Sequence, residues 1–329
     1  MNTRSIAWLA GAIALAIAPA CMAQTDVKYP THPVRLIVPY APGGVTDIVA
    51  RLIGARLSEA WGQGVVVENR TGASGNIAVE AAAKAAPDGY TLQVGNVSTN
   101  AINPVAFEDR LGFKPLKELA PLAIVVEVPH IVAANVGLPA SSIAEMVAYA
   151  KANPGKLNYG SAGNGSYVHL DMVNLAQRAG FVAQHVPYKG GASQMLTSLA
   201  ANETQMVFVN IASSLGFLRS GRIKALATTW HERLPEFPAV PTLAEQGYRD
   251  VGTNAWNAFF APAGVPRPLQ LQIQAAIHEA LARPELKEAY AKQYMQAPPR
   301  RSLEEAAEFV NAEAAKWQRV MREGNIRVE

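Results

Sequence analysis

Two glycine-rich stretches carry the residue types and spacing that hold an anion: Ala41-Pro42-Gly43-Gly44-Val45-Thr46-Asp47 and Gly160-Ser161-Ala162-Gly163-Asn164-Gly165-Ser166. Each lies between a β-rich run and a helical register, so each turns a strand into a helix and exposes backbone N–H groups at the helix start. Unpaired donors and the positive end of the helix dipole then face one point, a seat for an anion. The dipole adds about 0.3–1 kcal/mol, and each hydrogen bond to a charged acceptor about 1.5–3 kcal/mol. Three or four such bonds supply much of the ~8 kcal/mol that micromolar binding requires, before association costs are subtracted. Neither stretch is a nucleotide signature: the first lacks the Lys-Ser/Thr of a P-loop, and the second has Val168 where a third glycine would stand. Either turn alone is equally well explained by close helix–strand packing. The pair, one in each half of an α/β chain, is what points to a ligand.

Other polar residues offer themselves less sharply. Asp47 falls in the first turn of its helix, where it complements the dipole; a bare carboxylate there repels an anion, although it would accept an amine. Ser98, Thr99, Asn100 and Asn210 follow strands and either line a polar cleft at the carboxyl ends of a sheet or cap ordinary loops. There is no G-x-S-x-G elbow, no H-E-x-x-H and no His pair at metal-ligand spacing; His231-Glu232 lacks a second His. No catalytic residue, metal or cofactor is therefore expected, and a hydrolase is the weaker rival.

The elements that must position these turns are legible from periodicity. Val34 to Tyr40 reads as a strand and the segment with Ile48, Leu52, Ile53, Leu57 and Trp61 as a helix. Val65 to Glu68 and Tyr90 to Gly95 are further strands, with a helix over Ile77 to Ala86 between them. Two strand-like runs meet at Pro129, and Ser141 to Asn153 is a helix. Strands are expected near Lys156 to Tyr159, Gln184 to Pro187, Gln205 to Val209 and Ile223 to Thr229, with a helix over Tyr167 to Ala179. An aromatic-rich run, Val251 to Phe260, precedes an all-helical end in which Ser302 and Glu305 form a capping box. This is an α/β chain of mostly parallel sheets flanked by helices. The helical end packs back onto the first domain, so the chain crosses between domains twice, a hinge geometry. Residues 24–128 with 253–329 make domain 1, and 129–252 make domain 2.

Residues 1–23 read as a secretory signal: Arg4, an apolar run from Ile6 to Ala18, and small residues around Cys21-Met22-Ala23. Ala18-Pro19-Ala20-Cys21 lacks the leucine of a lipobox, so cleavage is favoured over lipid attachment at Cys21, and the mature chain keeps no thiol. With 329 residues, 50% of them apolar and 17% charged, and a formal charge of +3 with interspersed signs, the chain reads as a globular exported monomer without a nucleic-acid surface.

At Tyr29-Pro30 to Asp47, Val66-Val67-Glu68-Asn69-Arg70, Pro87-Asp88-Gly89-Tyr90-Thr91-Leu92, Asn158-Tyr159-Gly160-Ser161-Ala162-Gly163, His185-Val186-Pro187-Tyr188-Lys189-Gly190 and Ala261-Pro262-Ala263-Gly264, the sequence resembles the Bug receptors, solute-binding components of tripartite tricarboxylate transporters. The resemblance spans nearly the whole mature chain, in order and spacing. It implies a type II clamshell, a two-domain periplasmic binding protein that captures a small carboxylate for membrane permease subunits. The Pro-Gly-Gly and Ser-Ala-Gly turns would grip one carboxylate, partly through water; here they fall on Pro42, Gly43, Gly44 and Val45, and on Ser161, Ala162, Gly163, Asn164, Gly165 and Ser166. His169 matches the family's His-Leu pair, though one histidine facing a helix interior is more often a hydrogen-bonded core residue. Tyr188, Lys189 and Gly190 fall where a further strand ends at the cleft, with Lys189 either adding charge or lying in solvent.

Departures from the family pattern bear on ligand choice or local packing. Asn210 stands where an Asp is usual, Thr71-Gly72-Ala73-Ser74-Gly75 replaces a Pro-Gly-Ala-Gly-Gly-like turn, and Trp256-Asn257-Ala258 replaces a Trp-Phe-Gly-like run. If its side chain reaches the pocket, a neutral Asn210 removes an anion-repelling, amine-attracting charge, which leans the expected ligand toward carboxylates without an ammonium group. The alternative use of the same fold is sensing, with the closed form delivered to a membrane sensor instead of a permease.

Overall fold

Strand follows strand through helices packed on the sheet faces. In the computed structural model, which describes residues 29–188, 191–249 and 251–327, the first lobe opens with β1 (Val34–Val38), α1 (Val45–Trp61), β2 (Val65–Asn69), α2 (Asn76–Ala83) and β3 (Thr91–Asn96). A π-helical turn (Ser98–Ile102) and the short α3 (Asn103–Ala106) and α4 (Pro115–Glu118) lead to β4 (Leu119–Val128). The second lobe holds β5 (His130–Asn135), α5 (Ile143–Ala152), β6 (Asn158–Ser161), α6 (Tyr167–Ala179), β7 (Gln184–Pro187), α7 (Gly191–Ala200), β8 (Met206–Asn210), α8 (Ile211–Arg219) and β9 (Ile223–Thr228). The chain then returns through β10 (Ala255–Pro262) and ends in α9 (Arg267–Ala282), α10 (Pro284–Ala291) and α11 (Leu303–Glu323). The segment expected to be a secretory signal, with Cys21, and Lys189 and Gly190 lie outside the described residues.

The two five-stranded sheets share one topology, β2-β1-β3-β10-β4 and β7-β6-β8-β5-β9. In each, four strands run the same way and one is reversed, because β10 pairs antiparallel with β3 and β4, as β5 does with β8 and β9. The reversed strand is the one that has just crossed from the other lobe. It enters from the end at which its neighbours finish, so antiparallel pairing is the only way to insert it without a further crossover. Pro129, between β4 and β5, makes the first crossing; the segment between β9 and β10 makes the second.

Burial explains why the helices sit where they do. Val49, Ile53 and Leu57 of α1 fall on one face and are fully buried with Leu36 and Val38 of β1. Each contributes about 1.5–3 kcal/mol relative to exposure. The second lobe has its own core, built from β5 and β8 residues such as Val132 and Phe208 with Met172 and Leu175 of α6. A third cluster joins Ile37, Trp256 and Trp317 to Leu170, placing one face of α6 against the first lobe. α11 starts with the expected capping box, Ser302 and Glu305 each accepting from the other's backbone N–H. The region between β3 and β4, unassigned from periodicity, consists of turns too short to show a repeating apolar face.

Candidate functional site

The first turn projects from the end of β1, and Ala41 to Val45 are exposed. Gly44 is the N-cap of α1, and the Ile48 N–H donates to its carbonyl at 2.9 Å. The next donors, the N–H groups of Val45, Thr46 and Asp47, have no intrahelical acceptor. Gly43 is arranged differently: its N–H donates to Asp47 Oδ2 at 2.9 Å. The same carboxylate accepts from Arg51 Nε at 3.0 and 3.1 Å and from Asn69 Nδ2 at 2.9 Å, and it is buried. Burial works against its ionisation, but the bonds from Arg51, Gly43 and Asn69 outweigh that and hold the carboxyl at about 2. Asp47 thus braces the turn, its charge met by Arg51. Thr46 is bonded through Oγ1 to Asn257 Oδ1 of β10 at 2.6 Å, which ties the helix start to the returning strand.

The second turn follows the end of β6. Gly163 and Gly165 have φ of 117° and 75°, a region that favours glycine, and Ala162 and Asn164 are exposed. Here too the glycine N–H groups are taken internally: Gly163 donates to Ser161 Oγ at 3.0 Å, and Gly165 to His169 Nδ1 at 3.1 Å. The Ser166 N–H donates to Gly163 O at 3.2 Å. Ser161, fully buried, is also 2.6 Å from His185 Nε2, and the His169 and His185 rings stack at 3.9 Å. Burial, with His185 alongside, lowers His169 to about 4. His169 is therefore a neutral core residue behind the turn. The first-turn N–H groups of α6, Tyr167 to His169, have no intrahelical acceptor, and among the described residues those of Ala162 and Asn164 meet no backbone acceptor.

Residues that flank the two turns lie near the crossings. His130, buried just after Pro129, donates through Nδ1 to Val128 O at 2.9 Å; burial holds it at about 4, so its neutral Nε2 accepts the Tyr167 hydroxyl at 2.8 Å. Tyr40, just ahead of the first turn, donates to Asn96 Oδ1 at 3.2 Å. It is an electrostatic neighbour of Tyr167, whose pKa is raised by burial first and then by Asp171 and Tyr40. Farther along α6, Asp171 accepts from the Thr253 N–H at 3.1 Å and Oγ1 at 2.9 Å, across the second crossing. Asn164 Nδ2 reaches Arg327 O at 3.2 Å, so the end of the chain touches the second turn.

Several other expected contacts are engaged by neighbours within the chain. Thr99 and Asn100 are buried; Asn100 pairs with Gln93, and the Thr99 hydroxyl serves Asn96 and Asn100. Ser98 N–H caps onto Asn96 Oδ1 at 3.0 Å. Tyr188 bonds Ser198 and lies over Gly160, pointing into the second lobe. Asn210 is the N-cap of α8 and accepts from the Ser213 N–H at 2.8 Å. Periodicity gave no hint of Tyr40, His130, Tyr167, Asp171 or His185, because their partners lie far along the chain.

The profile of the family described as Tripartite tricarboxylate transporter family receptor matches residues 49–326. The chain is 37% identical over 272 residues to a UPF0065 protein of Bordetella pertussis, covering 83% of each. Among solved structures it is similar to R. palustris Rpa4515 with adipate, at 34% identity and a TM-score of 0.75, covering 91% of this chain and 99% of that one. It is also similar to MatC from Rhodopseudomonas palustris with bound malate, at 31% identity and a TM-score of 0.72, covering 89% and 99%.

Proposed function

The chain belongs to the tripartite tricarboxylate transporter receptor family, whose solved members include periplasmic binding proteins, and from that premise we propose that it closes its two lobes on a small carboxylate and hands it to membrane permease subunits. The observation that carries the reading is the pairing of two strand-to-helix turns at the ends of β1 and β6. Each has free first-turn N–H groups and an internally braced glycine, and Tyr40 and Tyr167 stand beside them as neighbours. The relatives that carry adipate and malate support the ligand class. Pro42 to Val45 and Ala162 to Ser166 line the grip. The leader is cleaved on export, and the mature chain acts as a monomer that binds and releases its solute without chemistry.

The adipate and malate carried by those relatives lack an ammonium group, which supports carboxylates over amino acids. The test is a thermal-shift and calorimetric panel of malate, adipate, citrate, aspartate and glutamate on protein freed of co-purified solute. A carboxylate lacking an ammonium group should raise the melting temperature with concentration, by mass action. Tighter binding of aspartate or glutamate, no stabilisation by any acid, or sustained turnover of an ester or amide would each overturn the reading.

A further inference from the structure

The third helical residues of α1 and α6 occupy equivalent places. Asp47 accepts the N–H of Gly43 and His169 that of Gly165, each glycine standing just before its helix N-cap. In the first lobe the acceptor is a carboxylate whose charge is met by Arg51. In the second it is an imidazole among stacked rings: His185 lies 3.9 Å from His169 with 10° between planes, and Tyr159 lies beside both, 5.1 Å from His185 and 6.1 Å from His169. His185 in turn meets Ser161 Oγ, which accepts from Gly163.

We propose that His169 and His185 are positioning residues of the second turn, His169 holding Gly165 through an Nδ1 lone pair and His185 holding Gly163 through Ser161, so that the carboxylate-binding form of the turn requires a neutral His169. This rests on the carboxylate grip described above. A backbone N–H can only donate, so Nδ1 must be the bare nitrogen. Protonation would set two N–H groups against each other and release Gly165. A neutral acceptor also gives the turn its brace without a second negative charge beside the bound anion. Among the described residues, the titratable groups facing His169 are His185 from β7 and Tyr159 from β6. On its own helix, Tyr167 and Asp171 bond instead to His130 and Thr253. Burial keeps the imidazole uncharged down to about pH 4.

Nitrogen-15 NMR of the full chain from pH 7 to 3.5 tests the coupling directly. The Gly165 amide and the His169 ring should titrate together with one midpoint near the value above. In His169→Asn, whose Oδ1 replaces the Nδ1 acceptor, the Gly165 amide should stop titrating. Calorimetry with malate and adipate at pH 7 adds the functional side: His169→Leu, lacking the acceptor, should bind at least about tenfold more weakly than wild type, and His169→Asn should recover most of that loss. As the pH falls toward 4, the wild type should lose affinity faster than His169→Asn, the variant correcting for protonation of the acids themselves. A Gly165 amide that stays still while His169 titrates, or that titrates equally in the Asn variant, overturns the proposal, as does wild-type affinity in His169→Leu. If neither acid binds the wild type at pH 7, the carboxylate reading falls while the amide titration still decides the positioning role.

Discussion

Asp47 is braced on three sides, by a backbone N–H, a guanidinium and an amide. Asp47→Ala leaves Gly43 and Asn69 without their acceptor and Arg51 without its counter-ion, and should cost about 2 kcal/mol of stability. Urea unfolding checks this, and a midpoint equal to the wild type's would contradict it. The effect on ligand affinity should be smaller, since the first-turn donors remain. At this scale the sequence placed both turns, because glycine and proline mark them directly. It did not reveal which N–H groups are free. That depends on where the Asp47 and His169 side chains swing and on His185, a residue on another strand whose contact with Ser161 leaves no local periodic trace.

The elements themselves were the most readable layer. The α6 span matches its expectation from end to end, and β7 likewise, because a glycine turn, a helical register and a β-rich run bound them. The α6 helix shows where tertiary context adds what periodicity lacks: its Asp171 is fully buried against the second crossing, beside Thr253 and Lys316. Burial raises its carboxyl to about 7, with Lys316 and Thr253 pulling the other way. The unfolded chain titrates near 3.8, so between these values the folded state binds more protons. The stability this group contributes is therefore complete below about pH 4 and lost as the pH rises through about 7. Asp171→Asn should remove that slope. Melting temperatures of the two proteins at pH 5 and pH 8 should diverge, with the variant gaining relative to wild type at pH 8. A constant difference across the range would show that Lys316 keeps the carboxylate charged throughout.

Across the whole molecule, the alternation of strands and helices told of an α/β architecture, and Pro129 showed where the chain passes between lobes. The exchange of strands was not visible, since pairing partners in a sheet are set by long-range packing. Yet it makes the lobes unequal. The second sheet is built from one continuous stretch, β5 to β9, whereas the first lacks its fourth strand until β10 returns from across the hinge. Residues 129–252 expressed alone should fold cooperatively, as seen by circular dichroism and calorimetry, while 29–128 should not; an independently folded amino-terminal fragment would refute the dependence. Because synthesis starts at the amino end, the portion made later completes its sheet sooner. Until then β3 remains an open edge on a nascent polypeptide, available to any neighbouring strand, and the interval of greatest aggregation risk lasts until Ala255–Pro262 arrives to cover it.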